Sequence, residues 1–183
     1  MASQVHGRKK PARRVLRTSG VSPQLHCMAI PTDKETLLLP TTVMEEVIDY
    51  QPPAPIECAP PWLLGNIDWD NRQVPVFSFT ALINGSDVGP VPPRSKVVIL
   101  KSLGSSGRVP YLGLLLGGLP HPVTVKYEDL LETGDDKKSL GVFRRVLIEE
   151  EEAIIPDLDR LTHLVTHAAF GALPITRLDR DDD

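Results

Sequence analysis

The chain has 183 residues, of which 41% are apolar and 24% charged, and its formal net charge is −4. These values lie near the globular average, so they exclude wholesale disorder and allow one domain with a hydrophobic core. The 18 prolines are roughly double the usual ~5% share. Because proline is excluded from helix interiors and central strands, the composition favours short strands separated by turns over a helical bundle.

The two ends of the chain carry opposite charge. Residues 1–17 hold six arginines and lysines and no acid, whereas the last seven residues hold four aspartates. Residues 1–22 also lack hydrophobic periodicity. We therefore predict a basic disordered arm over residues 1–22, a folded domain over 23–172 and an acidic tail over 173–183.

The cysteine content and the hydropathy pattern indicate a cytoplasmic protein. The only cysteines are Cys27 and Cys58, and the basic start is not followed by the apolar stretch of a secretory signal. We therefore expect two reduced thiols rather than a disulfide. No apolar run approaches the ~20 residues that a transmembrane helix needs.

The first ordered elements are predicted to form a hairpin. Leu25–Ile30 and Glu35–Leu39 are strand candidates, and Pro31–Lys34 is the turn between them. The following segment, Thr42–Tyr50, suits a short helix and an extended stretch equally well.

A second hairpin is predicted after a proline-rich segment. Gln51–Pro61 holds five prolines and must be extended or turning. Trp62–Trp69 and Val74–Phe79 then flank the pair Asp70-Asn71, whose residue types tolerate left-handed backbone and therefore indicate a tight turn.

The second half is predicted to continue as short strands and to end in a helix. Val97–Leu100 and Val109–Leu116 are continuous apolar runs typical of buried strands. Residues 121–140 are mixed in character and are expected to be irregular. Gly141–Glu149 and Ala153–Ile155 form a further hairpin candidate.

Asp157 to about Ala169 fits an amphipathic helix. Leu158, Leu161 and Val165 fall on one face, and Asp157 is a suitable N-cap. Short strands at this spacing, followed by one helix, indicate small barrels or a sandwich.

A search for catalytic or metal-binding constellations finds none that is complete. His163 and His167 are four residues apart on the predicted helix, but the HExxH pattern is absent, so we expect a solvated or partner-facing pair. The serines near the glycine-rich turn at Ser102 have no nucleophile elbow. The acidic run Glu149–Glu152 lacks the spaced ligands of a calcium loop. We therefore expect no enzymatic activity, metal or cofactor.

Two features leave other roles open. Trp62 and Trp69 lie in or beside the proline-rich segment, where they either pack in the core or mark a contact surface. The basic arm would support an alternative function, the binding of nucleic acid or another anionic surface. With no interleaved aromatic residues, such a contact would be weak and sensitive to salt.

The order of several segments between residues 25 and 165 resembles the CheW-like domain. The stretch after the second strand is similar to the family's, and the block around the second hairpin, with a proline before a short turn, a glycine, a tight turn and a Val-Pro-Val strand, is the most recognisable. The segments are Leu39–Ile48, Ala59–Val76, Lys96–Leu100, Gly113–Leu116 and Ile154–Leu161.

This resemblance implies a mainly β fold of two small five-stranded SH3-like β-barrels with a C-terminal helix. It also implies a non-catalytic adaptor without a cofactor, which joins the cytoplasmic tip of a chemoreceptor to a CheA-type histidine kinase in chemotaxis or in pilus-linked motility signalling. Neither membrane insertion nor nucleic-acid binding belongs to that role.

Carried over position by position, the resemblance gives four receptor- or kinase-binding candidates, Met44, Glu46, Asp70 and Val97. Glu46 keeps the family's residue type, although a plain surface acid is an equal alternative, and Met44 and Val97 equally suit a core. Asp70 stands where the family usually has arginine, which reverses the charge offered to a partner. The sequence therefore predicts a divergent member with its own receptor or kinase.

Overall fold

The computed structural model describes residues 24–103, 109–126, 131–132, 139–148 and 151–171. The predicted basic arm (1–22) and acidic tail (173–183) lie outside these ranges and stay predictions. The described part consists of eleven strands, two α-helices and one 3-10 turn. In chain order they are β1 (Gln24–Pro31), β2 (Thr36–Pro40), the 3-10 turn (Thr41–Val43), β3 (Met44–Asp49), β4 (Leu63–Trp69), β5 (Arg72–Phe77), α1 (Phe79–Asn84), β6 (Lys96–Lys101), β7 (Tyr111–Leu115), β8 (His121–Lys126), β9 (Leu131–Glu132), β10 (Val142–Ile148), β11 (Glu151–Pro156) and α2 (Leu158–Phe170).

The strands form two sheets, which confirms the predicted mainly β fold with a C-terminal helix. One sheet has the order β3-β6-β7-β5-β4, and the other has the order β8-β1-β2-β11-β10-β9. The second sheet has six strands rather than the five expected, because the two-residue strand β9 adds to β10. Among the described residues, backbone pairing leaves β3 and β4 as the edges of the five-stranded sheet.

Buried side chains form three hydrophobic cores. One core, which includes Leu38, is formed by strands of the six-stranded sheet. Another, which includes Ile67 and Val97, is formed by strands of the five-stranded sheet. The largest core lies between the sheets, with Val98 of β6 and Leu161 of α2 among its members. Strand β6 is thus buried on both faces, which explains its continuous apolar sequence.

A close crossing joins the two sheets at the turn between β1 and β2. The amide of Gly117, just after β7, donates a hydrogen bond to the carbonyl oxygen of Pro31 over 3.0 Å. Thr32 in the same turn lies 3.1 Å, hydroxyl to hydroxyl, from Thr80 of α1, and both side chains are buried. These polar contacts fix one sheet against the other where the apolar core ends.

The predicted hairpins are present, and the ambiguous segment is extended. Strand β1 pairs with β2, β4 with β5 and β10 with β11, all antiparallel. The segment Thr42–Tyr50 is resolved as the end of a 3-10 turn followed by β3. Helix α2 begins after Asp157, whose side chain accepts a hydrogen bond from the amide of Arg160, so the predicted N-cap is confirmed.

The expectation of irregular structure over residues 121–140 was wrong for two stretches. Residues 121–126 form β8, which pairs with β1, and residues 131–132 form β9. Strand β8 is an edge strand, where Pro122 is tolerated, and Val123 and Val125 alternate toward the core of the six-stranded sheet. Helix α1 was not predicted, since its six residues are too few to show a helical period.

Within the described ranges, no helix has the length and apolar character needed to cross a membrane.

Candidate functional site

The four predicted contact residues differ in their access to solvent. Val97 is 1% exposed and lies in the core of the five-stranded sheet. Met44 is half-buried against the core between the sheets. Glu46 on β3 and Asp70 in the β4–β5 turn are exposed. Glu46 and Asp70 therefore lie where a partner can touch them, whereas Val97 packs in the core that also contacts Trp69.

A hydrogen bond brings the two exposed candidates into one region. The indole Nε1–H of Trp69 donates to Glu46 Oε2 over 2.8 Å, and Trp69 immediately precedes Asp70. Glu46 and Trp69 belong to β3 and β4, the two edges of the same sheet. The sheet must therefore curl enough to bring side chains of its two edge strands within hydrogen-bond distance, which is the direction of curvature of a small barrel.

Two further side chains fix the indole of Trp69. The ring of Tyr111 on β7 lies 4.9 Å from the Trp69 ring, centroid to centroid, in an edge-to-face arrangement at 67°. The guanidinium of Arg72, the register partner of Trp69 on β5, lies over the Tyr111 ring at 5.2 Å. An aromatic pair and a cation–π pair each contribute about 0.5–1.5 kcal/mol of favourable interaction energy. We call Glu46, Trp69, Arg72 and Tyr111 the indole cluster.

The turn beside the indole cluster has the backbone that the sequence indicates. Asp70 has φ 48° and Asn71 has φ 57°, so both central residues are left-handed, as a two-residue hairpin requires. Asp68 and Gln73, the last polar pair before the turn, are joined by a side-chain hydrogen bond. Within the described part of the chain, the Asp70 carboxylate makes no ion pair, so its charge faces solvent.

The cations of β6 pair with the other acids of β3. Lys101 Nζ lies 2.9 Å from Glu45 Oε2, and the hydrogen bond and charge of Glu45 raise the pKa of Lys101. Lys96 forms an ion pair with Asp49 at the opposite end of the strand. Glu46 thus keeps the indole as its partner while Glu45 and Asp49 form ion pairs, and Glu46 and Asp70 are exposed acids on the surface that also carries Arg72.

The described residues outside the indole cluster offer little chemistry. His163 Nε2 lies 3.9 Å from Asp159 Oδ2, with both side chains about two-thirds exposed. The described ranges contain no group of three or more potential metal ligands. Glu151 and Glu152 begin β11, whereas residues 149–150 lie outside the described ranges.

Sequence reasoning named Glu46 and Asp70 as candidates, which stay predictions, and it missed the contact between Glu46 and Trp69. Trp62 packs against the core between the sheets and Trp69 against the core of its own sheet, so core packing describes both, and Trp69 has a second role as a donor. Tyr111 carries no local signal, since only the pairing of distant strands brings it to Trp69.

The fold of this chain is similar to that of a protein of known structure. The structure is similar to the crystal structure of the scaffolding protein TtCheW from Thermoanaerobacter tengcongensis, with a TM-score of 0.61 and 14% sequence identity over 74% of this chain and 90% of that chain. At this identity the likeness shows the fold alone. A search of curated proteins found no match.

The family comparison covers most of the chain. The family model for the CheW-like domain matches residues 26–165, from β1 into α2, and so includes both sheets and the indole cluster. This chain therefore belongs to the CheW-like domain family.

Proposed function

We propose that the chain is a non-catalytic adaptor that couples a chemoreceptor to a CheA-type histidine kinase in the cytoplasm. The observation that carries this proposal is the family match, because it covers residues 26–165 and so includes strands of both sheets. A two-sheet body offers two separate outer surfaces on one rigid core, which is what an adaptor needs. Such a protein acts by holding its partners at a fixed geometry and a high local concentration.

We assign the receptor contact to the surface formed by Glu46 and Asp70. Both carboxylates are exposed, and they are connected through Trp69. Because Asp70 replaces the arginine usual in the family, the complementary group on the partner should be a cation rather than an acid. This reversal is why we place the chain in a branch with its own receptor or kinase, such as a pilus-linked chemosensory system.

Co-purification with the kinase and a receptor tip fragment from the same genome tests the proposal. The wild-type chain should retain both partners, and Glu46→Lys should lose the receptor with little change in the melting temperature, because the side chain is exposed. Glu152→Lys is the control with the same charge change on the other sheet, and it should keep the receptor. Retention of the receptor by Glu46→Lys would refute the assignment of this surface.

A truncation distinguishes this role from binding through the basic arm. A chain lacking residues 1–20 should keep both partners, because the proposed contacts lie on the sheets. If binding instead disappears with the arm and falls steeply with salt, the anionic-surface alternative is correct.

A further inference from the structure

We infer that Trp69 is a positioning residue that holds the Glu46 carboxylate in the orientation required by a cationic partner side chain. The inference rests on the function proposed above, and it assigns a role to a residue outside the four contact candidates. Three observations carry it: the Glu46–Trp69 hydrogen bond, the packing that fixes the indole, and the pairing of the neighbouring charges.

The hydrogen bond limits the motion of an exposed side chain. An exposed glutamate samples many rotamers, and fixing it at the moment of binding costs side-chain entropy. The 2.8 Å bond from the indole to Oε2 restricts Glu46 before any partner arrives. Such preorganisation strengthens binding without adding a contact.

The donor is itself held in place from two other strands. Tyr111 packs edge-on against the Trp69 ring, and Arg72 lies over Tyr111. Trp69 is also packed against the core of the five-stranded sheet. The direction of the N–H is thus set by β4, β5 and β7, and it points at a carboxylate on β3.

The arrangement leaves an acceptor for the partner. Oε2 of Glu46 accepts the indole hydrogen bond, and within the described ranges Oε1 accepts none. The two lysines of β6, Lys96 and Lys101, pair with Asp49 and Glu45 instead. A carboxylate fixed through one oxygen and open at the other suits the ammonium of a lysine or the guanidinium of an arginine.

A purely structural role for the bond makes a different prediction. A hydrogen bond between exposed groups contributes only modestly to folding, because both groups can bond to water in the unfolded chain. If the bond served only to join the sheet edges, its loss would lower stability and leave the affinity of the folded protein unchanged. If it positions Glu46, its loss weakens binding at nearly constant stability.

Nuclear magnetic resonance tests the geometry without altering the tryptophan. The chain has two tryptophans, so a ¹⁵N-labelled sample gives two indole signals, and Trp62 serves as the internal control. Glu46→Gln should shift the Trp69 signal and leave that of Trp62 in place. A Trp69 signal unmoved by Glu46→Gln would overturn the inference.

A double-mutant cycle tests the function, with the receptor tip fragment as the probe. Trp69→Phe keeps an aromatic ring but removes the donor, and it should weaken binding about tenfold, whereas Trp62→Phe should not. Glu46→Ala should weaken binding more, and the double variant should bind no worse than Glu46→Ala alone, since Trp69 acts through Glu46. If the two losses multiply, Trp69 acts independently and the inference fails.

The outcomes distinguish failure of this inference from failure of the proposed receptor surface on which it rests. Weak binding by Glu46→Ala together with wild-type binding by Trp69→Phe refutes the positioning role alone. Wild-type binding by Glu46→Ala refutes both the receptor surface and the role of Trp69 in it.

Discussion

Gly117 and Thr32 approach so closely that a β carbon built on Gly117 would lie 2.2 Å from the carbonyl oxygen of Thr32. This contact joins the end of β7 in the five-stranded sheet to the β1–β2 turn of the six-stranded sheet. Only glycine permits the two backbones to come this near. This close contact is one of the features that set the placement of one sheet against the other.

Gly117→Ala should therefore lower the free energy of unfolding by about 1–3 kcal/mol, the usual cost of overpacking a closely packed site. Denaturation in urea measures the effect. Gly89→Ala is the control, because nothing lies within 4 Å of its added β carbon, and it should change stability by less than about 0.5 kcal/mol. Equal stability of the two variants would contradict the close contact between Gly117 and the Thr32 carbonyl.

The N-cap of α2 gives a second prediction. The Asp157 carboxylate accepts a hydrogen bond of 2.9 Å from the backbone amide of Arg160. Asp157→Ala should therefore lower the free energy of unfolding by about 1 kcal/mol. Asp159→Ala, which alters an exposed acid in the same turn, should cost less. Thermal unfolding distinguishes them, and an equal loss from both would show that the charge rather than the cap matters.

The turn beside Trp69 gives a third prediction. Asn71 has φ 57°, a conformation that costs roughly 1 kcal/mol for a residue with an ordinary β carbon and little for glycine. Asn71→Ala should lower the melting temperature, and Asn71→Gly should preserve or raise it. The opposite order would mean that the turn does not adopt left-handed backbone in solution.

The two thiols should differ in reactivity. Cys27 is 6% exposed, and burial raises the pKa of its thiol, so its thiolate forms only at higher pH. Cys58 is exposed. Brief treatment of the native protein with iodoacetamide near pH 8 should modify Cys58 first, as mass spectrometry of the peptides would show. In urea both should react, and rapid modification of native Cys27 would contradict the packing of the six-stranded sheet.

Local sequence patterns were sufficient to predict the hairpins and the C-terminal helix. The Asp70-Asn71 pair between apolar stretches predicts the β4–β5 turn, and Asp157 before an amphipathic run predicts the start of α2. These features depend on residues adjacent in sequence, where turn and capping chemistry acts directly.

Features that depend on distant strands were not predictable in this way. The alternation of Val123 and Val125 is too short to outweigh Pro122 until β1 is known to lie alongside. The hydrogen bond between Glu46 and Trp69 spans 23 residues and exists only because the five-stranded sheet curls. The resemblance to the family identified Glu46 as a candidate, but the structure was needed to show what holds it.

Receptor-dependent kinase activity tests the central claim most directly. Autophosphorylation of the CheA-type kinase should be measured with membranes containing the receptor, with and without this chain. The account predicts that the receptor changes kinase activity only when the chain is present, and that Glu46→Lys abolishes this dependence. A kinase that responds to the receptor equally well without the chain would show that this protein is not the coupling adaptor.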